Sequence, residues 1–197
     1  MQRAGQAITE QAIQEFESQS IAILIGPGNN GADGILAGSG LTQRGKDITL
    51  VSPFKKNTSK NLLGKALRVA KQCGLTVNWE YPNIKNLKPD LWIDALLGVG
   101  QSRPLEGRLL SWIATLQTTK SPILAIDIPT GLNGTNGSTT PIAVPATQTL
   151  TFFAPKVGFY QNEGPAHCGK ISVATLETNN QSLKNWLKKR RTDLPKG

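Results

Sequence analysis

The peptide GPGNNGADG, residues 26–34, combines two kinds of chemistry. Gly26 and Gly28 permit a tight turn and a close approach of backbone to ligand, and a helix starting behind them presents free N–H groups and a positive dipole end, which favours phosphate. The spacing satisfies G-x-G-x-x-G, the pattern of dinucleotide loops. A redox cofactor loop of that type expects an acidic residue about 20 positions later to hold the ribose. Here the next apolar run ends LVSPFKK with no acid, so a dinucleotide-dependent oxidoreductase lacks its second signature. Asn29, Asn30 and Asp33 crowd the loop with amides and carboxylate oxygens, beyond what backbone contact with pyrophosphate requires. A purely structural glycine turn is the other reading of these residues.

Two further blocks end apolar runs in the same way. In DALLGVGQSRPLEG, residues 94–107, Asp94 lies within an apolar stretch, where an ionised carboxylate is costly unless it is paired or bound to a cation. Gly98 and Gly100 let backbone approach a ligand, and Arg103 suits a phosphate. The alternative is structural, with Asp94 capping a neighbouring loop and Arg103 paired to Glu106. In DIPTGLNG, residues 127–134, Asp127 ends another apolar run and Thr130 adds a hydroxyl. Asn30, Asp94 and Thr130 form a set of hard oxygen donors, which suits a cation such as potassium better than zinc. Lys156, in APKVG, either neutralises phosphate or is a surface lysine at a turn.

The elements that must position these residues follow from periodicity. Ala4, Ala7, Ile8, Ala12, Ile13 and Phe16 mark an amphipathic helix within residues 2–19, ahead of a strand over 21–25. Helices are predicted over 31–44, from Thr58 to Cys73, and near 106–117; strands over 47–52, 75–80, 90–97, 122–128, 148–154 and 170–176. Alternation of helices with nearly continuous apolar strands gives the α/β class, a three-layer α/β/α sandwich around a mainly parallel sheet. Ligands of such sheets bind beyond the carboxyl ends of the strands. Residues 133–145 form a polar loop. One domain is expected over 1–190, with 191–197 as a linker or the start of a further domain.

The 22 basic and 13 acidic side chains of this 197-residue chain give a net charge of +9, which points to an anionic partner. The basic run KNWLKKRR at 184–191 lacks interleaved aromatics, so it reads as a solvated helix face and nucleic acid is not the expected partner. No apolar run reaches the roughly 18 residues of a spanning helix and no signal peptide opens the chain, so a cytoplasmic, membrane-free protein is expected. Cys73 and Cys168 suggest neither disulfide nor metal. His167, beside Cys168, is read on a strand where neighbours point to opposite faces, which argues against a nucleophile pair. The four tryptophans are read as core or interface residues.

Taken in order, the three blocks resemble the YjeF N-terminal domain family, the NAD(P)H-hydrate epimerases. GPGNNGADG is similar to the family's GPGNNGGDG, DALLGVGQSRPLEG to DALFGTGLSRPLEG, and DIPTGLNG to DIPSGLDA; MQRAGQAI and FFAPKVGFY resemble further family segments. The resemblance implies a homodimeric, Rossmann-like domain that interconverts the R and S forms of hydrated NADH and NADPH for a fused or separate dehydratase. Carried over by position, it implies substrate contacts at Asn29, Asn30, Gly31, Ala32, Asp33, Gly98, Val99, Gly100, Gln101, Ser102, Arg103, Pro104 and Asp127. Asn30, Asp94 and Thr130 are implied potassium ligands. Asp127 is the candidate acid/base group at the nicotinamide C6 carbon, since proton transfer there would assist loss and return of the hydroxyl. Ala32 and Thr130 depart from the family's Gly and Ser, and Asn133 from its Asp. A start close to the family's first motif suggests a shortened N-terminus, and RRTDLPKG resembles the segment that opens a dehydratase domain in bifunctional members. The rival expectation is a non-catalytic, RNA-associated scaffold of the same fold.

Overall fold

A computed structural model describes residues 2–56, 62–101 and 104–176. Its first half comprises α1 (Gln2–Glu15), β1 (Ser20–Ile25), α2 (Asn29–Thr42), β2 (Asp47–Val51), α3 (Leu62–Gln72), β3 (Val77–Asn78) and β4 (Leu91–Ala95). Its second half comprises α4 (Gly107–Leu116), β5 (Ile123–Ile126), β6 (Gln148–Phe152), a 3-10 turn at Val157–Tyr160, α5 (Gly164–Cys168) and β7 (Lys170–Ala174). The strands form one sheet in the order β3-β2-β1-β4-β5-β6-β7, and every pairing among the described residues is parallel.

Side chains alternate across this sheet, so each apolar strand serves two cores. Ile21, Ile23 and Ile25 of β1 pack on one face with Ile8 and Ala12 of α1, Ile35 and Leu41 of α2, and Leu63 and Ala66 of α3. Ala22 and Leu24 face the other way, toward Trp92 of β4 and the Trp112, Ile113 and Leu116 side of α4. Helices therefore cover both faces, as the alternating pattern requires. Among the described residues no helix is long and apolar enough to cross a membrane.

Local chemistry shifts some boundaries. α2 begins at Asn29, earlier than its periodicity suggests, because Gly28 takes an extended N-cap conformation (φ −107°, ψ −158°) and turns Asn29 and Asn30 into the first helical turn. α1 stops at Glu15 rather than near residue 19. The strand expected over 75–80 contracts to Val77–Asn78, since Glu80 adopts φ +51°, a turn backbone that cannot continue a ladder. His167 and Cys168 are not on a strand: they close the short helix α5, and Gly169 at φ +56° turns the chain into β7. Burial pushes the Cys168 thiol up to about 11, so this sulfur is inert near neutrality. Trp92 and Trp112 are buried in the α4-side core, in agreement with their sequence reading. The start of the third helix at 57–61, the basic run and the linker at 191–197 lie outside the described residues.

Candidate active site

The strand order places β1 and β4 side by side while the chain departs from them in opposite directions, toward β2 on one side and β5 on the other. Loops leaving the carboxyl ends of β1 and β4 must therefore diverge and open a crevice there. A cavity of about 550 Å³ occupies that position. Asn29, Asn30 and Asp33 line it from α2, and Gly98, Val99, Gly100 and Gln101 from the loop after β4. Asp127, Phe152, Phe153 and Lys156 close its far side. A depression of about 710 Å³ at the opposite edge of the sheet, between Lys85 and Lys120, is lined by no carboxylate and has no comparable set of convergent groups.

Two glycines let the first loop close on itself and lie this close to the second. A Cβ on Gly26 would fall 1.5 Å from the carbonyl oxygen of Leu96, and one on Gly31 would fall 2.0 Å from that of Gly26. Both obstacles are backbone, so neither can rotate away. Gly26→Ala is expected to force the β1 and β4 loops apart at a cost of about 3 kcal/mol or more. That loss is readable as a Tm about 6–12 °C lower, and an unchanged Tm would show that the loops are not in this contact. Ala32 stands differently. It lies inside α2, fully buried against the sheet in the apolar core, so its methyl group points away from the cavity and takes no space from a ligand.

Behind the cavity floor Asp94 is completely buried. Its Oδ2 accepts the Thr130 backbone N–H at 2.8 Å, and its Oδ1 accepts the Thr130 hydroxyl at 2.8 Å and the Leu96 N–H at 3.2 Å. The Thr130 hydroxyl in turn accepts the Leu97 N–H at 3.0 Å, while the Asn30 side-chain amide donates to the Leu97 carbonyl at 3.2 Å. Asp94 thus splices two loops, as the structural reading of this residue anticipates. It also remains a buried carboxylate with no cationic partner among the described residues. Burial pushes its carboxyl up to about 6, against the opposing hydrogen bonds from Thr130 and Leu96. Asp94, Thr130 and Asn30 thus meet around Leu96 and Leu97, and their side-chain oxygens with the Leu97 carbonyl are donors of the kind a monovalent cation takes.

Asp127 holds the most unusual backbone of the site, φ +67°, in the left-handed region. Its N–H donates to the Leu150 carbonyl at 2.8 Å, which fixes the peptide to β6. Such a conformation costs about 1–3 kcal/mol in a non-glycine residue and recurs where a side chain must be aimed. The Lys156 ammonium donates to Asp127 Oδ1 and to the Thr151 hydroxyl, with both ends of the ion pair mostly buried. Oδ2 faces the loop after β4, within 3.4 Å of the Val99 N–H. Gly98 lies over it: a Cβ there would come within 3.2 Å of Oδ2. Asp33 adds a second carboxylate, pushed up to about 6 by its burial, with a smaller contribution from the charge of Asp127. Its Oδ1 is buried without a hydrogen-bond partner among the described residues.

Of the residues implied by resemblance, Asn29, Asn30, Asp33, Gly98, Val99, Gly100, Gln101 and Asp127 come together at the cavity. Gln101 also accepts the Gly131 N–H at 2.9 Å, tying the loop after β4 to that after β5. Gly31 and Ala32 are buried and do not line the cavity, Pro104 is exposed and does not line it, and Ser102 and Arg103 lie outside the described residues. Phe152 and Phe153, which open the FFAPKVGFY segment, are lining residues that the sequence reading did not name as site residues, although both stand at a strand end, where ligands of parallel sheets gather.

A family model described as YjeF-related protein N-terminus matches residues 1–158. The chain belongs to this family. A relative from Weissella koreensis, named NAD(P)H-hydrate epimerase, is 34% identical over 164 residues, covering 82% of this chain and 72% of the relative. One from Coxiella burnetii, named bifunctional NAD(P)H-hydrate repair enzyme Nnr, is 31% identical over 177 residues; the match spans 89% of this chain and only 36% of that protein. The fold of this YjeF-related chain is shared with the crystal structure of yeast ynu0, YNL200c, at a TM-score of 0.74, 17% identity and 87% coverage of this chain against 75% of the other.

Proposed function

We infer that this chain is an NAD(P)H-hydrate epimerase, an isomerase that interconverts the R and S forms of hydrated NADH and NADPH at C6 of the nicotinamide ring. The observation that carries this reading is the aimed, ion-paired Asp127 in a dinucleotide-sized crevice behind a phosphate-suited helix start. Inverting C6 requires its hydroxyl to leave and return on the other face. The lone pair of the ring nitrogen forms a C6=N iminium bond as the hydroxyl takes up one proton and departs as water; water then adds to the opposite face and gives the proton back. Asp127 is suited to move that proton and, as a carboxylate, to stabilise the positive charge on the ring. The free N–H groups at the start of α2 suit the pyrophosphate.

Asn30, Asp94 and Thr130 would hold a potassium ion, which when bound supplies the counter-charge that the buried Asp94 carboxylate lacks. The bifunctional relatives support a further proposal, that the epimerase feeds a fused or separate dehydratase; a homodimer working in the cytoplasm, where these cofactors turn over, completes the proposed reading. Incubating the protein with the R epimer of hydrated NADPH and an S-specific dehydratase should restore NADPH well above the spontaneous rate. Recovery at the spontaneous rate alone would return the chain to the non-catalytic scaffold reading.

A further inference from the structure

An ion-paired carboxylate has no proton of its own to lend to a departing hydroxyl, yet the group beside it does. Lys156 reaches Asp127 from the turn after β6, and its Nζ is held at two points, by Asp127 Oδ1 and by the fully buried Thr151 hydroxyl. Gly134 clears a path for the lysine stem, since a Cβ at that position would come within 3.4 Å of Lys156 Cγ. An exposed lysine at a turn would need none of these arrangements. The ammonium contacts Oδ1 and leaves Oδ2 toward the cavity, beneath Gly98.

We propose that the acid–base unit of the epimerase is the Lys156–Asp127 pair, in which Lys156 is the positioning and proton-holding residue and Asp127 the group that meets the substrate. This rests on the epimerase reading and deepens it. As the C6–O bond breaks, Asp127 passes one proton to the hydroxyl and receives one from Lys156. Water departs, the nitrogen lone pair becomes the C6=N bond, and the pair is left as a neutral amine beside a carboxylate. The positive charge has moved from the ammonium to the ring, next to the same carboxylate. Addition of water to the other face returns the π electrons to nitrogen and the proton, through Asp127, to Lys156. The titratable side chains lining the cavity among the described residues are Asp33, Asp127 and Lys156.

The test measures kcat and KM for hydrated NADPH with the full chain in a Cys73→Ser background. Lys156→Met and Lys156→Arg should each lower kcat about a hundredfold with KM changed less than about threefold, because a guanidinium keeps the ion pair but does not give up its proton. Thr151→Val should show a smaller loss in kcat, and serves if the lysine variants do not fold. Lys156→Cys treated with bromoethylamine restores an amine of lower basicity, and should recover activity with its alkaline limb moved to lower pH. The inference is overturned if Lys156→Arg retains near wild-type kcat, if the loss falls on KM alone, as for a phosphate-binding lysine, or if the aminoethylated enzyme keeps the original limb. A wild-type chain without epimerase activity overturns the function itself and this inference with it; an active wild type indifferent to Lys156 and Thr151 overturns the inference alone.

Discussion

Asp127→Asn should lower the rate of epimer exchange by about a thousandfold, within the range that a positioned acid–base group contributes, while leaving the fold intact. The substitution is well matched to its site. Asparagine tolerates the left-handed backbone at φ +67° as readily as aspartate, whereas alanine would add strain. An amide oxygen can still accept the Val99 N–H, so the loop after β4 keeps that contact. What disappears is the ability to take up and release a proton and the charge that faces Lys156. Asp127→Asn also leaves the mostly buried Lys156 ammonium without its counter-charge, so stability should fall too, by up to about 3 kcal/mol. NMR exchange spectroscopy on the two epimers reads the rate and thermal melting reads the fold. Undiminished exchange in a folded Asp127→Asn protein would falsify the assignment of this residue.

The second large effect concerns the cation. Burial holds Asp94 near a midpoint of about 6, so at pH 7.5 most molecules carry a fully buried negative charge with no cationic partner among the described residues. A bound potassium ion relieves that cost in the folded state only, and saturation at about a hundred times its dissociation constant would stabilise the fold by about 2.7 kcal/mol. Replacing potassium by tetramethylammonium should therefore lower the Tm by about 5–10 °C, with loss of activity. Asp94→Asn should remove the potassium dependence of the Tm. Its absolute Tm should also fall, since an amide nitrogen in place of either oxygen would meet an N–H or O–H donor of Thr130 or Leu96. Equal melting of the wild type in both salts would show that the oxygen set holds no such ion.

Much of this architecture can be read from local pattern. The continuous apolar runs around Ile23, Ile93 and Leu124 could only be strands covered on both faces, and the glycines after Thr42 and Cys73 ended their helices where expected. The start of α2 was less legible, because Gly28 and the two asparagines suit a loop as well as a first helical turn; the choice depends on the N-cap geometry of Gly28. His167 and Cys168 were misplaced for a similar reason. Their neighbours Gly164, Pro165 and Gly169 favour a short turn of helix over a strand, and a five-residue element has too little periodicity to show it. Ala32 reads as an intrusion into a ligand loop when the chain is one line of letters. In three dimensions its methyl group completes the packing between α2 and the sheet.

The amino-acid sequence by itself determined that oxygen-bearing residues would gather at one edge of the protein. In a βα repeat every strand runs the same way, so Asp94 near the end of its apolar run, and Asn30, Asp127 and Thr130 after theirs, emerge at the same carboxyl edge whatever the order of the strands. Tertiary structure alone decided which of them would touch. The placement of β4 beside β1 brings Asn30 to the Leu97 carbonyl, 67 positions along the chain, and the placement of β6 beside β5 lets Lys156 reach Asp127 across 29. Strand order, register and the left-handed turn at Asp127 are set by the burial of both faces of the sheet at once. A window of neighbouring residues carries no record of that global condition.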